Sequence, residues 1–346
     1  MLEKKIQRRK SLLNRTSSII TNNENNIEKV NLDDYTILEK VGKTSCGYIY
    51  ICKNNKSNKV FLMKILPKFE CLQSKTVERL SNEYAFLSTI YHPFIIELKG
   101  INNTNPLTLN FLFEYIPGGY LSTLLKSHKR FNIKDSKFYL ASLITIIDYL
   151  HKKNIIHRDL RPENILINKN GYIKLADFSF VKRVENEYTY SACGIPEYYS
   201  PEMINKSGYN KSTDFWGLGV ILYEMIIGCT PFMDQDPMKI YQKINKAKVS
   251  FPQTLEQSAK DIIRHFLIVD VNKRLGCGKK GIAEIIDTPF FDDFDWKGLL
   301  YRNLRPPFVP DVNDNFDFSY FRKIDDKLNN EDYNEVAKDK DPFYNW

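Results

Sequence analysis

The chain has 346 residues, of which 42% are hydrophobic and 27% are charged, an ordinary composition for a soluble globular protein of one large or two modest domains. The formal net charge of +8 is uneven, because residues 1–30 hold seven Lys and Arg against three Glu. No zinc-ligand spacing, RNA-binding signature or basic-aromatic stripe accompanies this charge. A solvated basic tail is the commoner explanation, and we expect no nucleic-acid partner.

Cysteine usage and apolar patterning exclude two further classes of protein. The six cysteines include no C-x-x-C pair, which favours reduced thiols inside the cell, and we expect the cytoplasm, with the nucleus as the alternative. The first residues, MLEKKIQRRK, lack the apolar core of a signal peptide. The most apolar stretch, FWGLGVILYEMIIGCTPF, follows Asp214 and contains Glu224. It therefore predicts a buried helix and no membrane span.

In chain order, the polar and Asn-rich residues 1–31 predict a tail. Short β-rich runs follow between Tyr35 and Glu114, namely YTILEKV, GYIYICK, KVFLMKIL and LNFLFEY, and one predicted helix from Ser74 to Tyr91 interrupts them. The Gly-Gly pair in PGGY predicts a hinge, after which the pattern is helical. The Asp- and Asn-rich residues 297–346 are typical of an extended tail laid over another surface.

The stretch VGKTSCGYIY resembles two nucleotide-binding signatures and completes neither. Its GKT is the end of a P-loop, but Ile37 stands where the first P-loop glycine belongs, which excludes a P-loop NTPase. Compared with the G-x-G-x-x-G loop of protein kinases, Gly42 and Gly47 match, and Thr44 replaces the middle glycine.

The segment HRDLRPENIL is the most specific one, because it matches the protein-kinase catalytic loop H-R-D-x-x-x-x-N. Asp159 would accept or orient the proton of a substrate hydroxyl, and Asn164 would offer an oxygen to Mg²⁺. Asp177 in LADFS would be the chelating carboxylate, where kinases have D-F-G. Lys64 on a predicted strand would bind phosphate, held by an ion pair with Glu83 on the following helix. All five occur in the kinase order, which coincidence does not explain.

From residue 35 to the final tryptophan the chain resembles AGC-family Ser/Thr kinases, and among them the cAMP-dependent protein kinases. The matching segments are NEYAFLSTIYHPFII, HRDLRPENIL, ADFSFVKRV, CGIPEYYSPEMI, GYNKSTDFWGLGVILYEM, DQDPMKIYQKI and VNKRLG. The resemblance implies an α+β, two-lobed protein-kinase fold. Its expected parts are a basic tail (1–31), a β-rich N-lobe (32–116), a mainly helical C-lobe (117–293) and an AGC-type C-terminal tail (294–346). The final FYNW resembles the family's closing F-x-x-F, which would dock Phe343 and Trp346 on the small lobe.

This resemblance also implies ATP and Mg²⁺ as cofactors, bound between the lobes. The catalytic residues would be Asp159, Lys64, Glu83 and Arg161, and the metal ligands Asn164 and Asp177. The adenine edge would lie at Glu114 and Ile116, with Phe113 at the rear. The full set of expected ATP contacts is Val41, Gly42, Lys43, Thr44, Ser45, Cys46, Gly47, Tyr48, Ile49, Leu62, Lys64, Phe113, Glu114, Ile116, Glu163, Leu166 and Asp177.

By the same resemblance, an activating phosphate would sit on Ser191, where Arg158, Lys182 and Arg79 would converge on it. The alternative is that Ser191 is an ordinary loop serine. The chain has no room for a cyclic-nucleotide sensor of its own, so any cAMP control would come from a separate regulatory subunit. We expect the catalytic form to be a monomer.

Protein substrates would carry basic residues upstream of the target Ser or Thr. Three acidic residues match family positions that receive such arginines, namely Glu163, Glu197 and Glu224. Tyr120 replaces a further family glutamate, one that contacts ribose and substrate, so we expect a relaxed motif. The tail segment RRKSL has the form of such a substrate. Ser11 would then be an autophosphorylation site or part of a pseudosubstrate, against the commoner alternative of a plain basic tail.

Several family positions have changed. They are Thr44 for glycine, Leu62 for alanine, Arg161 for lysine, Ser179 for glycine and Ile195 for threonine. A β-carbon where the backbone needs positive φ costs about 1–2 kcal/mol, or roughly tenfold in nucleotide affinity. Because the charged groups are kept, we expect a slower enzyme. A pseudokinase scaffold that signals by binding alone remains the alternative. Tyrosine kinases also have arginine at the position of Arg161, which raises tyrosine specificity as an alternative. The Pro-Glu that follows it and the segment CGIPEYY match the Ser/Thr pattern instead.

Overall fold

A computed structural model describes residues 27–185, 188–312, 316–322, 324, 333–344 and 346. The RRKSL segment at residues 8–12, with its Ser11, lies outside the described residues. In the part of the chain that is described, no helix combines the length and the apolar character needed to cross a bilayer.

The amino-terminal lobe is built on a six-stranded sheet with the order β1-β5-β6-β4-β3-β2. The strands are β1 Glu28–Lys29, β2 Tyr35–Lys43, β3 Tyr48–Asn54, β4 Val60–Pro67, β5 Leu98–Asn102 and β6 Thr108–Glu114. Neighbours pair antiparallel, except that β1 runs parallel to β5. Apolar and β-branched residues dominate the central strands β4 and β6, as strands covered on both sides require. The register sets Lys64 opposite Phe111.

Two helices accompany this sheet, α1 at Lys68–Gln73 and α2 at Val77–Thr89. Helix α2 buries Leu80, Phe86 and Leu87, and this apolar face holds it on the core. The same face carries Glu83 into the interior. The predicted helix therefore exists, two to three residues shorter at each end than expected.

The carboxy-terminal lobe is mainly helical. Its helices are α3 Leu121–His128, α4 Ile133–Lys152, α5 Pro201–Ile204, α6 Ser212–Ile227, α7 Pro237–Lys246, α8 Gln257–Phe266, α9 Ile282–Ile286 and α10 Trp296–Leu300. Helix α6 is buried on almost all sides, as the apolar stretch of the sequence predicts. It ends at Gly228, whose φ of 96° is the left-handed conformation that glycine adopts most easily at a helix end.

Short strands position the segments that carry chemistry. Strand β7 (Ile155–Ile156) pairs with β10 (Lys182–Arg183), and β8 (Ile165–Ile167) pairs with β9 (Ile173–Leu175). The segment HRDLRPEN connects β7 to β8, and Asp177 follows β9. Two turns of chain are thereby brought to the same side of the large lobe.

The C-terminal tail returns from the carboxy-terminal lobe, the large lobe, to the amino-terminal lobe, the small lobe. The hydroxyl of Tyr172 donates to the carbonyl oxygen of Leu304 at 2.8 Å, next to strand β9. Just before the hinge, on the side of the small lobe, the hydroxyl of Tyr115 donates to the carbonyl oxygen of Asp317 at 2.9 Å. The tail is therefore fastened to both lobes.

The end of the tail docks on the small lobe, as predicted for FYNW. Phe343 is fully buried, and Trp346 stacks on Tyr84 of helix α2 with ring centroids 5.5 Å apart. The amide of Asn103 donates to the carbonyl oxygen of Phe343 at 2.9 Å. These contacts attach the end of the tail to helix α2 and to the loop after strand β5.

A buried ion pair fastens the same end. The ammonium of Lys68, on the first turn of α1, pairs with the carboxylate of Asp341, and both side chains are almost completely buried. Lys68 also donates to the carbonyl oxygen of Asn103 at 2.7 Å. The charge of each partner is balanced only while the tail is docked.

The two-lobed α+β fold is confirmed, with two boundary expectations corrected and one strand that was not expected. Strand β1 lies within the segment that was expected to be a tail. These residues belong to the small lobe, because Val30 is buried in its core and Glu28–Lys29 pairs with β5. Strand β5 itself was not expected. Helix α10 lies within the expected C-terminal tail, yet Trp296 and Leu299 are buried and belong to the large lobe.

Replacing Asp341 by alanine would leave the Lys68 ammonium buried without its carboxylate. Breaking such a pair costs about 3–5 kcal/mol, so we expect a drop of about 3 kcal/mol in the free energy of unfolding measured by urea denaturation. The control is Asp339→Ala in the exposed turn Lys338–Lys340 just before it, which should change stability by less than about 0.5 kcal/mol. Equal losses in the two variants would contradict a stabilising role for the pair.

Candidate active site

The ammonium of Lys64 lies among side chains from both lobes. Its Nζ is 2.9 and 2.8 Å from the two carboxylate oxygens of Glu83 and 3.1 Å from the hydroxyl of Ser179. That hydroxyl lies 2.6 Å from Oδ1 of Asp177 and 3.2 Å from Oε2 of Glu83. Ser179, which replaces the family's glycine, thus connects the ion pair of the small lobe to the carboxylate of the large lobe. The sequence did not predict this role.

Charge balance in this cluster decides its protonation. Burial alone would raise the pKa of Asp177, but the Lys64 ammonium and the hydrogen bonds from Ser179 outweigh it and hold the pKa below its usual value. Burial alone would lower the pKa of Lys64, but the charges of Glu83 and Asp177 outweigh it and raise the pKa. At neutral pH the site therefore presents one ammonium and an ionised Asp177.

Asp214 fixes the backbone of the catalytic-loop segment. Its buried carboxylate accepts hydrogen bonds from the N–H groups of His157 at 3.0 Å and Arg158 at 2.9 Å, and lies 2.8 Å from Nε2 of His151. Arg158 has a φ of 73°, a conformation that a residue with a side chain adopts at a cost. This role of Asp214 was not predicted from the sequence. The available signal was an acidic residue at the start of an otherwise apolar helix.

Asp159 keeps one carboxylate oxygen bonded and one without a protein partner. The amide nitrogen of Asn164 donates to Oδ2 at 2.7 Å, and Nε of Arg161 lies 3.2 Å from the same oxygen. Oδ1 is buried and has no hydrogen-bond partner among the described residues. It lies under Gly194, where an added β-carbon would be 2.5 Å away. An orphaned carboxylate oxygen suits a group that must accept a proton from elsewhere.

A cavity of about 300 Å³ separates the two lobes at this point. The expected ATP contacts that line it are Gly42, Lys43, Thr44, Ile49, Leu62, Lys64, Phe113, Glu163, Leu166 and Asp177. Glu83, Arg161 and Asn164 line it as well. The cavity therefore brings together residues from the glycine loop, the central strands and the catalytic loop.

Seven expected contacts do not line the cavity, namely Val41, Ser45, Cys46, Gly47, Tyr48, Glu114 and Ile116. The carboxylate of Glu114 accepts from Lys174 at 2.6 Å and from the backbone N–H of Glu97 at 2.9 Å, so it is used elsewhere. Ile116 is fully buried in the core. Lining residues that were not expected are Leu87, Ile96, Tyr120, Ala176 and Phe178. Except for Tyr120, these are apolar residues without a local signal.

The glycine loop does not carry the strain expected at Thr44. Its φ is not positive, and its backbone N–H donates to the carbonyl oxygen of Gly47 at 2.8 Å in a tight turn. Glycine is required instead at position 47, where a β-carbon would lie 2.2 Å from the carbonyl oxygen of Ile65. The expected penalty of about 1–2 kcal/mol at Thr44 is therefore wrong for this conformation of the loop.

The three acidic residues assigned to substrate binding lie near one another. Burial raises the pKa of Glu224 to about 7, and the charges of Glu163 and Glu197 add to this, against a hydrogen bond from Tyr198. The Tyr198 hydroxyl donates to Oε2 of Glu224 at 2.5 Å. The hydroxyl of Thr230 donates a hydrogen bond to Oε2 of Glu197. The arrangement is a negatively charged patch beside the cavity, since Glu163 belongs to both.

The expected phosphate site is assembled only in part. A guanidinium nitrogen of Arg158 lies 3.2 Å from the hydroxyl of Ser191. Lys182 instead donates to the hydroxyl of Thr189 at 3.1 Å, and Arg79 donates to the glycine loop. Of the three cations, Arg158 alone contacts Ser191 in the described structure.

Comparison with known proteins agrees with this geometry. Residues 35–291 match the protein kinase domain. The chain belongs to the protein kinase family. Among its curated relatives are catalytic subunits of cAMP-dependent protein kinases.

The chain is 38% identical over 301 residues to cAMP-dependent protein kinase catalytic subunit 3 of Drosophila melanogaster, which covers 87% of this chain and 51% of the fly protein. It is 38% identical over 297 residues to the cAMP-dependent protein kinase catalytic subunit of Dictyostelium discoideum, covering 86% and 45%. It is 37% identical over 311 residues to the catalytic subunit PRKX of Mus musculus, covering 90% and 84%. The chain thus spans about half the length of the first two relatives.

The chemistry of this kinase site fits a nucleotide-bound Mg²⁺. The described residues include no group of three or more His, Cys, Asp and Glu side chains that could hold a metal alone. Asn164 and Asp177 nevertheless face one cavity, and both hydrogen bonds of Asn164 to Asp159 use its amide nitrogen. An amide oxygen and an ionised carboxylate suit Mg²⁺, which takes few protein ligands and completes its shell with phosphates and water.

Because Thr44 carries no backbone strain, Thr44→Gly should change the KM for ATP by less than about twofold. The matched variant is Gly47→Ala, in which the new methyl group would meet the backbone of β4 and displace the loop. We expect that variant to raise the KM for ATP at least about tenfold. Tightening by an order of magnitude in Thr44→Gly would show that the loop is strained when nucleotide is bound.

Proposed function

We propose that this kinase-family chain is an active serine/threonine protein kinase that transfers the γ-phosphoryl group of ATP to protein substrates. The observation that carries the proposal is the cluster of Lys64, Glu83 and Asp177. The ion pair of Lys64 with Glu83 comes from one lobe, the Asp177 carboxylate comes from the other, and all three side chains line one cavity. A scaffold without catalysis would not need these charges, because burying them is costly.

Each side chain has one task in this proposal. Lys64, positioned by Glu83, holds the nucleotide's phosphates, and Asn164 and Asp177 hold Mg²⁺. When bound, Mg²⁺ would neutralise charge on those phosphates. Asp159 takes the proton of the substrate hydroxyl on its unpartnered Oδ1. Arg161, 3.2 Å from Asp159, keeps a positive charge where charge accumulates during transfer.

The proposed substrates carry arginine or lysine upstream of the target serine or threonine. The patch of Glu163, Glu197 and Glu224 supports this preference, because carboxylates pair with guanidinium groups by charge-assisted hydrogen bonds. Tyr120 stands where the family has another glutamate, and this supports a motif with fewer obligatory basic residues.

Control by a separate cAMP-binding regulatory subunit is part of the proposal. The relatives compared above are catalytic subunits of cAMP-dependent protein kinases. By the family resemblance, Tyr190 and Tyr241 stand where a regulatory subunit or a peptide docks, and Tyr190 is 60% exposed. Co-purification of the monomeric kinase with a partner that cAMP releases would support this control. Failure of cAMP to alter any complex would oppose it.

Asp159→Asn removes the proton acceptor while keeping the shape of the site. We expect transfer of ³²P from [γ-³²P]ATP to a basic serine peptide to fall by about a hundredfold or more. Asp261→Asn on the distant helix α8 is the control and should retain full activity. Equal background counts from wild type and Asp159→Asn, with ATP still bound, would favour a pseudokinase scaffold.

We propose Ser191 as the activating phosphosite, because its hydroxyl lies 3.2 Å from the guanidinium of Arg158, which could pair with a phosphate. Ser191→Ala should lower kcat at least about fivefold, because a phosphate would add charge-assisted bonds that order the segment. Phosphopeptide mass spectrometry of the active enzyme should find the phosphate on this residue. A fully active enzyme with unmodified Ser191 would remove the switch from the proposal.

Since the pKa of Glu224 is about 7, its carboxyl is mostly neutral below pH 7 and mostly charged above it. The KM for an arginine-containing peptide should therefore fall by about threefold between pH 6 and pH 8. Glu224→Gln should abolish this part of the pH dependence. A peptide without basic residues serves as the substrate control. Identical pH profiles for both peptides would argue against Glu224 as an arginine contact.

A further inference from the structure

Two cysteines of the small lobe form a close pair next to the nucleotide cavity. Cys46 lies at the tip of the glycine loop, and Cys71 lies in helix α1. Their sulfur atoms are 3.4 Å apart, and the thiol of Cys71 donates to Sγ of Cys46. Cys71 is fully buried, while Cys46 is half-buried. The six cysteines are otherwise unpaired thiols without a disulfide.

Cys46 has the surroundings of a reactive thiol. The hydrogen bond from Cys71 lowers its pKa most, hydrogen bonds from Thr76 and Ser45 and the charge of Lys64 act in the same direction, and burial opposes them, so that the pKa falls to about 6. Burial raises the pKa of Cys52 to about 12 and that of Cys277 to about 11. At neutral pH, Cys46 is therefore the thiol that is largely ionised.

We propose that Cys46 and Cys71 are a reversible redox pair: a hydroperoxide oxidises Cys46, and a disulfide to Cys71 then ties the glycine loop to helix α1. Intracellular disulfides of this kind are transient and regulatory. None of the chemistry assigned to phosphoryl transfer uses either sulfur atom.

The proposed steps balance. The Cys46 thiolate attacks one oxygen of the peroxide, the O–O bond breaks, and hydroxide or alkoxide leaves with Cys46 as a sulfenic acid. The sulfur of Cys71 then attacks Sγ of Cys46, the S–O bond breaks, and water leaves with the proton of Cys71. The peroxide is reduced by two electrons, and the two thiols together are oxidised by two.

The geometry demands little movement. A disulfide bond is about 2.05 Å long, so the sulfurs must approach by about 1.4 Å from their present separation. The loop tip supplies this movement most readily, because Cys71 is enclosed in the core. Ser45, next to Cys46, accepts a hydrogen bond from Arg79 of helix α2 at 3.2 Å, and this contact already draws the loop toward the small-lobe helices.

The consequence for function rests on the proposed kinase activity. Lys43 and Thr44 of the same loop line the nucleotide cavity, and such loops open and close as nucleotides exchange. A covalent tie at Cys46 would hold the loop in one position. We therefore infer that oxidation slows nucleotide exchange and lowers kcat, and that thiol reductants restore both.

The bond itself is tested on the full chain without reference to activity. After treatment with hydrogen peroxide and alkylation of remaining thiols, peptide mass spectrometry should show Cys46 linked to Cys71, and dithiothreitol should release the link. In Cys71→Ser, whose hydroxyl can still donate to Cys46, dimedone should instead trap sulfenic acid on Cys46. In Cys71→Ala, which removes this hydrogen bond, the same trapping should be slower. Two variants are used because Cys71 is buried. Absence of the linked peptide in wild type, or preferential oxidation of another cysteine, would overturn the proposal.

The effect on the site is tested with a fluorescent ATP analogue. Peroxide should slow its dissociation from wild type by at least about threefold, reversibly, and should leave the rate unchanged in the Cys71 variants. Cys277→Ser in the other lobe is the control and should respond like wild type. An unchanged rate in the fully cross-linked protein would overturn the regulatory role. Because neither readout needs phosphoryl transfer, an inactive kinase would refute the proposed function without touching this result.

Discussion

The Lys64 ammonium is the charge on which the architecture of this kinase depends, because its carboxylate partners come from different lobes. Glu83 reaches it from helix α2, and Asp177 approaches from the turn after β9, with the hydroxyl of Ser179 between them. Buried charges are tolerated only when they are matched. The position of α2, the docking of the tail behind it and the turn of the large lobe must therefore agree with one another.

A second buried set of charges plays the same part at the outer edge of the small lobe. Lys68 and Asp341 are matched only when the tail is in place, and the aromatic stack of Trp346 on Tyr84 presses against α2. The tail consequently contributes to the orientation of Glu83 from a distance. The ion pair of Lys64 with Glu83 fixes helix α2 in the cleft. The pair of Lys68 with Asp341 ties the tail to helix α1 and so keeps Trp346 against α2.

The residues that carry chemistry could be predicted from sequence, because phosphoryl transfer dictates their types, order and spacing. Lys64, Asp159 and Asp177 were identified in this way, and the structure gathers Lys64 and Asp177 at one cavity. The supporting contacts could not be predicted. Asp214 is 57 residues from the backbone group of His157 that it holds. An acidic residue at the start of an apolar helix marks Asp214 as unusual, but the local sequence does not identify its partner.

The misses among local elements have physical reasons too. Strand β1 has two residues and exists only through its pairing with β5, which itself contains Gly100 and carries no strong strand signal. Because the family has glycine at position 44, we expected a positive φ and a strained backbone at Thr44. That expectation describes the backbone of proteins that have glycine there. In this chain the turn closes with a hydrogen bond from Thr44 to Gly47, and φ at Thr44 is not positive.

Tyr120 gives the cleft a distinctive shape for small-molecule recognition. Its hydroxyl lies beneath the glycine loop, 3.3 Å from where a β-carbon on Gly42 would be, and its ring packs against Phe321 of the tail at 5.8 Å. Burial raises its pKa to about 12, so it stays a neutral hydrogen-bond donor where the family pattern has a carboxylate. An inhibitor with a basic amine aimed at that carboxylate would lose its partner here. One with an acceptor at the same point would gain one, which makes a single phenol a basis for selectivity between this kinase and its relatives.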